Sequence, residues 1–274
     1  MKKKSFSLLL ERENVKEILE DIKESGFDGV EPTFHPSGIP SPENFIKDAE
    51  ILKEICGQFG LEISSMRGGP LFWELFPCDN KEKERELFIL TENAIKTVKI
   101  MGGDTLLIVP GRWEKGQSYF STYNKILEKV KKISYIASDM GITIGLENTQ
   151  SCFLLSPKEW AEFIDEVNSP NIKFYFDIGN VYYVGLGEPS DWIRDLGYRI
   201  CRIHLKDCLI KKEGLSITRN IVELGMGNID WKCVKKSLED IKYNSWFTVE
   251  LTLPDKNRKE FLKRNSLFIE MVFG

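Results

Sequence analysis

Short apolar runs alternate along the whole chain with longer stretches of helical period. A strand buried on both faces reads as a continuous apolar run, whereas an amphipathic helix repeats its apolar residues every three to four positions. The alternation therefore predicts βα units and a parallel sheet. Strands are expected over residues 5–10, 29–31, 61–66, 104–109, 142–147, 171–177, 198–205 and 246–251. Helices are expected over 14–25, 43–59, 81–101, 119–140, 156–167, 189–196, 230–242 and 255–272. Local chemistry supports these limits. Asn14 can cap the first helix, whose Val15, Ile18, Leu19 and Ile22 share a face, and Gly26, Gly60 and Gly102-Gly103 stop helices. Ser156-Pro157-Lys158-Glu159 is a capping box with proline at the first helical position.

Two stretches resist this reading. Arg67-Gly68-Gly69-Pro70-Leu71-Phe72-Trp73 is too rich in glycine and proline for a regular element and too apolar for a plain solvent loop, as expected of a loop that covers a site. Residues 206–227 read as a long connection. Eight βα pairs in 274 residues predict an α/β fold, a single (β/α)8 TIM barrel domain over residues 1–274. An open sheet with dinucleotide chemistry would carry G-x-G-x-x-G after an early strand, and the sequence has none.

Charge narrows the partners. The 38 Lys and Arg residues are interspersed with 42 Asp and Glu for a net −4, which offers no basic face to nucleic acid or an anionic membrane. A small-molecule partner is expected. No apolar run approaches the ~20 residues of a membrane span. The lysine-rich start is interrupted at Ser7 and stopped by Glu11-Arg12-Glu13, so it reads as a first strand and not a signal peptide. Six cysteines without a C-x-x-C pair, several inside apolar runs, fit a reduced cytoplasmic setting.

The chemistry gathers at strand ends. Glu147, Asp177, His204 and Glu250 are the last or nearly the last residues of the fifth to eighth strands. In a parallel barrel those ends converge on one mouth, so the four should cluster. Three crowded carboxylates repel unless a cation holds them, and with an imidazole they suit Mn²⁺ or Mg²⁺, and also Co²⁺ or Zn²⁺. Singly, each carboxylate could cap a helix or pair with Arg or Lys, and His204 could be a hydrogen-bonded core residue; their succession in strand order favours a shared ion. Around them, Glu31 could reach a substrate or pair with Arg67 or Arg112. Those arginines could bind phosphate or make loop ion pairs. Lys206 could hold a substrate hydroxyl or phosphate or face solvent, Trp73 could close over a sugar or pack its loop, and His35 reads as a surface or mouth residue.

In order and context, Leu146-Glu147-Asn148, Phe176-Asp177-Ile178-Gly179-Asn180, Ile203-His204-Leu205-Lys206-Asp207 and Val249-Glu250 resemble the sugar-phosphate isomerase and epimerase family of xylose isomerase-like barrels. Gly26-Phe27-Asp28-Gly29-Val30-Glu31, Leu106-Leu107-Ile108-Val109-Pro110-Gly111 and Leu224-Gly225-Met226-Gly227-Asn228-Ile229-Asp230-Trp231 extend the resemblance over nearly the whole chain. It implies that Glu147, Asp177, His204 and Glu250 hold one divalent metal. It also implies that Glu147 and Glu250 move the proton of a ketose or ketose phosphate through a metal-stabilised enediolate. Dimers or tetramers are common among such relatives. The sequence departs from many ketose epimerases at Asn180, where they carry histidine and which would contact substrate, and at Met226, where the family often has glutamate. Other readings stay open: an abasic-site endonuclease-like hydrolase, which would need more histidines than His35 and His204, a polyol dehydratase of the same fold, and a non-catalytic sugar-binding barrel.

Overall fold

The computed structural model describes residues 2–214 and 216–274. Its strands are β1 (Lys4–Leu8), β2 (Gly29–Pro32), β3 (Glu62–Ile63), β4 (Met66–Arg67), β5 (Thr105–Ile108), β6 (Thr143–Glu147), β7 (Ile172–Asp177), β8 (Ile200–Leu205), β9 (Asp207–Glu213), β10 (Ser216–Val222) and β11 (Phe247–Val249). Nine of them pair in parallel in the order β3-β2-β1-β11-β8-β7-β6-β5-β4. β3 and β4 are two pieces of one stave, and a parallel bridge from Thr33 to Arg67 carries the sheet round, giving a (β/α)8 barrel.

The helices are α1 (Val15–Glu24), α2 (Phe45–Phe59), α3 (Pro70–Leu75), α4 (Lys81–Met101), α5 (Tyr119–Met140), α6 (Pro157–Val167), α7 (Ile178–Val184), α8 (Pro189–Leu196), α9 (Trp231–Asp240) and α10 (Arg258–Phe273). Strand β7 shows how side chains divide between the layers. Phe174 packs on Trp160 of α6 at 4.7 Å and Phe176 stacks on Trp192 of α8, while Tyr175 turns inward against the His204 ring. Alternation along one strand thus serves the helical layer and the barrel interior by turns. Ser156 accepts from the Glu159 amide as the capping box predicts.

Three expectations are corrected. Residues 61–66 do not form one strand: the chain breaks at Ser64-Ser65, whose hydroxyls turn to Val30 O and to the Glu31 carboxylate, adding side-chain bonds beside the one backbone bond from the Ser64 amide to Val30 O. The segment read as an irregular loop contains α3. Gly69 starts it at φ +74°, where a Cβ would overlap the Phe34 carbonyl, and Pro70 fills the first position. The connection 206–227 holds an antiparallel hairpin, β9 with β10. At its base the buried Asp207 accepts from the amides of Cys208, Gly225 and Gly227 and from Trp231 Nε1 at 2.8–3.0 Å. That carboxylate ties the hairpin to the loop before α9. Among the described residues no helix is long and apolar enough to cross a membrane.

Candidate functional site

Sheet register brings the four strand-end residues together. Asp177 lies beside His204 across β7 and β8, Glu147 lies two positions back along β7 beside Tyr175, and the Glu250 amide donates to Leu205 O just past β11. Each of the four offers a ligand atom within 4.8 Å of every other. His204 Nδ1 is 3.0 Å from Glu147, 3.2 Å from Glu250 and 3.8 Å from Asp177. His204 and Asp177 have fully buried side chains, whereas that of Glu250 is 18 % exposed and faces the mouth.

Asp177 splits its duties between its two oxygens. Oδ1 accepts from the Asn180 amide at 2.6 Å and caps α7, and Asn148 brackets the same turn by donating to Asp177 O and accepting from its amide. Oδ2 faces the cluster and receives no hydrogen bond. Lys206 Nζ stands 2.7 Å from it without being aligned to donate, and gives its hydrogen bond to Glu250 Oε2 at 2.6 Å. The other oxygen of Glu250 is held by Arg67, whose Nε and Nη2 also grip Thr33 Oγ1.

Glu31 is wholly buried and has neither arginine as a hydrogen-bonded partner. It accepts from His204 Nε2 at 2.7 Å, from Tyr175 Oη at 2.7 Å and from Ser65 Oγ at 2.5 Å. With Nε2 committed to a carboxylate, Nδ1 is the ring nitrogen left for the cluster, the arrangement in which outer carboxylates orient metal-binding histidines.

The charges shift as this crowding requires. Burial drives the Asp177 carboxyl up, against the pull of Lys206, to about 7. For Glu250 burial pushes upward too, but Lys206, His204 and Arg67 outweigh it and hold the group well below the usual carboxylate range. Glu31 is likewise brought down to about 2, because His204 and Ser65 overcome its burial. Burial opposes charge on His204, yet Glu31 and Glu250 hold the imidazolium well above its ordinary value.

A divalent cation suits these residues. Three carboxylates and an imidazole nitrogen form a hard-to-borderline donor set, and Asp177 Oδ2 is a buried anionic oxygen still lacking a hydrogen-bond donor. A cavity of about 540 Å³ lined by Ser7, Arg67, Lys206, Glu250 and Leu251 opens on one side. A second of about 290 Å³, lined by Thr33, Arg67, Trp73 and Glu147, meets it at Arg67. Glu250 and Glu147 thus line different cavities beside the cluster.

The remaining candidates fall at different distances from this centre. Trp73 lines the smaller cavity, as does His35. Arg112 pairs with Glu114 and stacks over Trp73 at 5.5 Å, outside the residues that line either cavity. Asn180 is buried, and its Nδ2 donates to Asn148 O at 2.8 Å, which ties its side chain to the end of β6. Met226 points to solvent, two-thirds exposed. Sequence reasoning missed the Glu31–His204 bond and the place of Lys206 among the carboxylates; the one signal for the first was a charged residue ending the second strand.

Residues 19–269 match the xylose isomerase-like TIM barrel family. Among relatives, an inosose dehydratase of Clostridium botulinum is 23 % identical over 74 % of each chain. A provisionally named L-ribulose-5-phosphate 3-epimerase of Haemophilus influenzae is 26 % identical over 90 % of this chain and 86 % of its own. Among solved structures, L-ribulose 3-epimerase superposes with a TM-score of 0.79 at 16 % identity, covering 100 % of this chain and 95 % of that one. The IOLI protein with a bound zinc atom does so with a TM-score of 0.79 at 19 % identity, covering 99 % and 98 %.

Proposed function

Because the chain belongs to the xylose isomerase-like TIM barrel family, we propose that it is a divalent-metal-dependent isomerase or epimerase of a ketose or ketose phosphate. The observation that carries this reading is the closed cluster of Glu147, Asp177, His204 and Glu250 at the mouth, with Glu250 lining one adjoining cavity and Glu147 another. Relatives named as an epimerase and a dehydratase of polyhydroxylated carbonyl compounds support the substrate class. A divalent ion held by these four residues would withdraw electron density from a carbonyl oxygen and so acidify the neighbouring C–H bond.

The protein's own groups then move the proton. One glutamate takes it from the carbon, leaving an enediolate, and the other returns its own proton from the opposite face, which inverts that carbon. Return to the adjacent carbon instead exchanges aldose and ketose. Glu250 is prepared for the basic role by Lys206, His204 and Arg67, which together keep the carboxylate ionised, Arg67 by holding Oε1. Buried Glu31, Ser65 and Tyr175 fix the ring of His204, so the cluster does not rearrange as charge moves.

The test is solvent exchange. Incubated in D2O with Mn²⁺ and a panel of ketoses and their phosphates, the protein is expected to place deuterium on one carbon of one sugar and to lose that activity with a chelator. Glu147→Gln and Glu250→Gln should each cut exchange by about 10²–10⁴-fold. Absence of exchange across the panel with a loaded ion would overturn the reading. The inosose dehydratase relative favours one alternative, β-elimination from the same enediolate, which product analysis would reveal as loss of one water.

A further inference from the structure

We infer that Lys206 is a built-in stand-in for the metal, holding Glu250 and Asp177 together until a divalent ion takes its place and sends it into the mouth. The inference rests on the proposed reading of the cluster as an ion site. Lys206 Nζ is 2.6 Å from Glu250 Oε2 and 2.7 Å from Asp177 Oδ2, oxygens of two of the four proposed ligand residues. An ammonium and a dication repel at such range and compete for the same oxygens, so binding of the ion favours departure of the ammonium. The fit of the ammonium is also incomplete, because Asp177 Oδ2 gains a charge beside it but no hydrogen bond.

The surroundings give the lysine a defined path. Its stem crosses the first turn of α7, where a Cβ on Gly179 would overlap Lys206 Cγ, so the glycine leaves the channel in which the chain lies. Lys206 also lines the larger cavity, and a short swing about its outer torsions brings Nζ from the carboxylates into that space. Glu250 does not lose all compensation when this happens, since Arg67 remains on its other oxygen. The arrangement solves the problem of a metal-free state: three buried or half-buried carboxylates stay gathered without an ion, and the cation that gathers them lies within reach of a sugar oxygen once an ion has displaced it.

Two measurements on the full chain test this. Amine acylation with peptide mapping should find Lys206 protected in chelated protein and several-fold more reactive with saturating Mn²⁺, while lysines remote from the mouth, such as Lys158, do not change. The isosteric Lys206→Met should lower the melting temperature of the metal-free protein by roughly 5 °C or more and bind Mn²⁺ about tenfold or more tightly than wild type. Mn²⁺ binding without any change in Lys206 labelling overturns the inference and leaves the ion site standing. Failure of wild type and variant alike to bind Mn²⁺, Mg²⁺, Co²⁺ or Zn²⁺ overturns both. The labelling result needs no variant, so a Lys206→Met protein that does not fold still leaves a decision.

Discussion

His204 turns Nε2 to Glu31, 2.7 Å away, and this single bond decides which of its nitrogens faces the three carboxylates at the mouth. The carboxylate is itself held by Ser65 and Tyr175, so the ring is fixed from behind by groups that never reach the cavity. Glu31→Gln keeps the size of the side chain but removes the charge that favours an Nε2–H donor. Calorimetric titration with Mn²⁺ should then show affinity reduced by about 10–100-fold, with the fold intact by circular dichroism. Unchanged affinity would mean that the imidazole is not a ligand.

The Asp177 carboxyl, raised by burial to about 7, makes ion uptake depend on pH. Below that value an ion must expel its proton, and the imidazolium proton of His204 as well, so affinity weakens as pH falls; each proton released makes it fall about tenfold per pH unit. Titrations in buffers of different ionisation enthalpy would count those protons. The sign for stability follows from linkage. The folded Asp177 binds its proton more tightly than the unfolded group, so its stabilising contribution is full below about pH 4 and is lost as pH rises through 7. In metal-free protein this group therefore costs stability at neutral pH, and added ion should restore it. A metal-free melting temperature that rises between pH 5 and 7 through Asp177, judged against Asp177→Asn, would contradict this.

Arg67 joins the ends of two staves by holding Thr33 with one part of its fork and Glu250 with another. A lysine cannot reproduce that span of planar donors. In Arg67→Met, Glu250 loses one of the cations that keep it ionised, and its carboxyl titrates at higher pH. The acid limb of the pH–rate profile should move upward, with kcat reduced by about 10²-fold once the base is less well placed. A limb that stays where it is in wild type would assign the proton transfer to another group.

The alternation of strands and helices, and the strand-end position of Glu147, Asp177, His204 and Glu250, were legible because burial on both faces leaves an uninterrupted apolar run with the polar residue just beyond it. The pairing of Glu31 with His204 was not, since 173 positions separate them and only closure of the barrel brings β2 opposite β8. The β9–β10 hairpin escaped for a different reason. Most of its residues are exposed on both faces, so no alternation of apolar and polar positions marks it, and Lys211-Lys212-Glu213-Gly214 reads as plain loop. Helix α3 was hidden by Gly69-Pro70, taken as breakers although they begin it. Lys206 has no periodicity to betray that it bends back between the carboxylates.

Asp207 carries a structural load that the cluster beside it does not share. Its buried carboxylate receives the amides of Cys208, Gly225 and Gly227 and the Trp231 indole at 2.8–3.0 Å, and a Cβ on Gly227 would overlap it, so the loop is wrapped tightly around one anion. Asp207→Ala removes the acceptor these donors share, leaving the Cys208 amide and the Trp231 indole buried without it, while Gly225 lies where water reaches it. Each unsatisfied buried group costs about 1–3 kcal/mol before relaxation, and the observed loss should be about 3–5 kcal/mol. Urea unfolding of metal-free protein would measure it. Because Asp207 lies outside the proposed ligand set, a variant that still folds should bind Mn²⁺ with nearly the affinity of wild type, whereas lost affinity in a stably folded variant would bring Asp207 into the ion site.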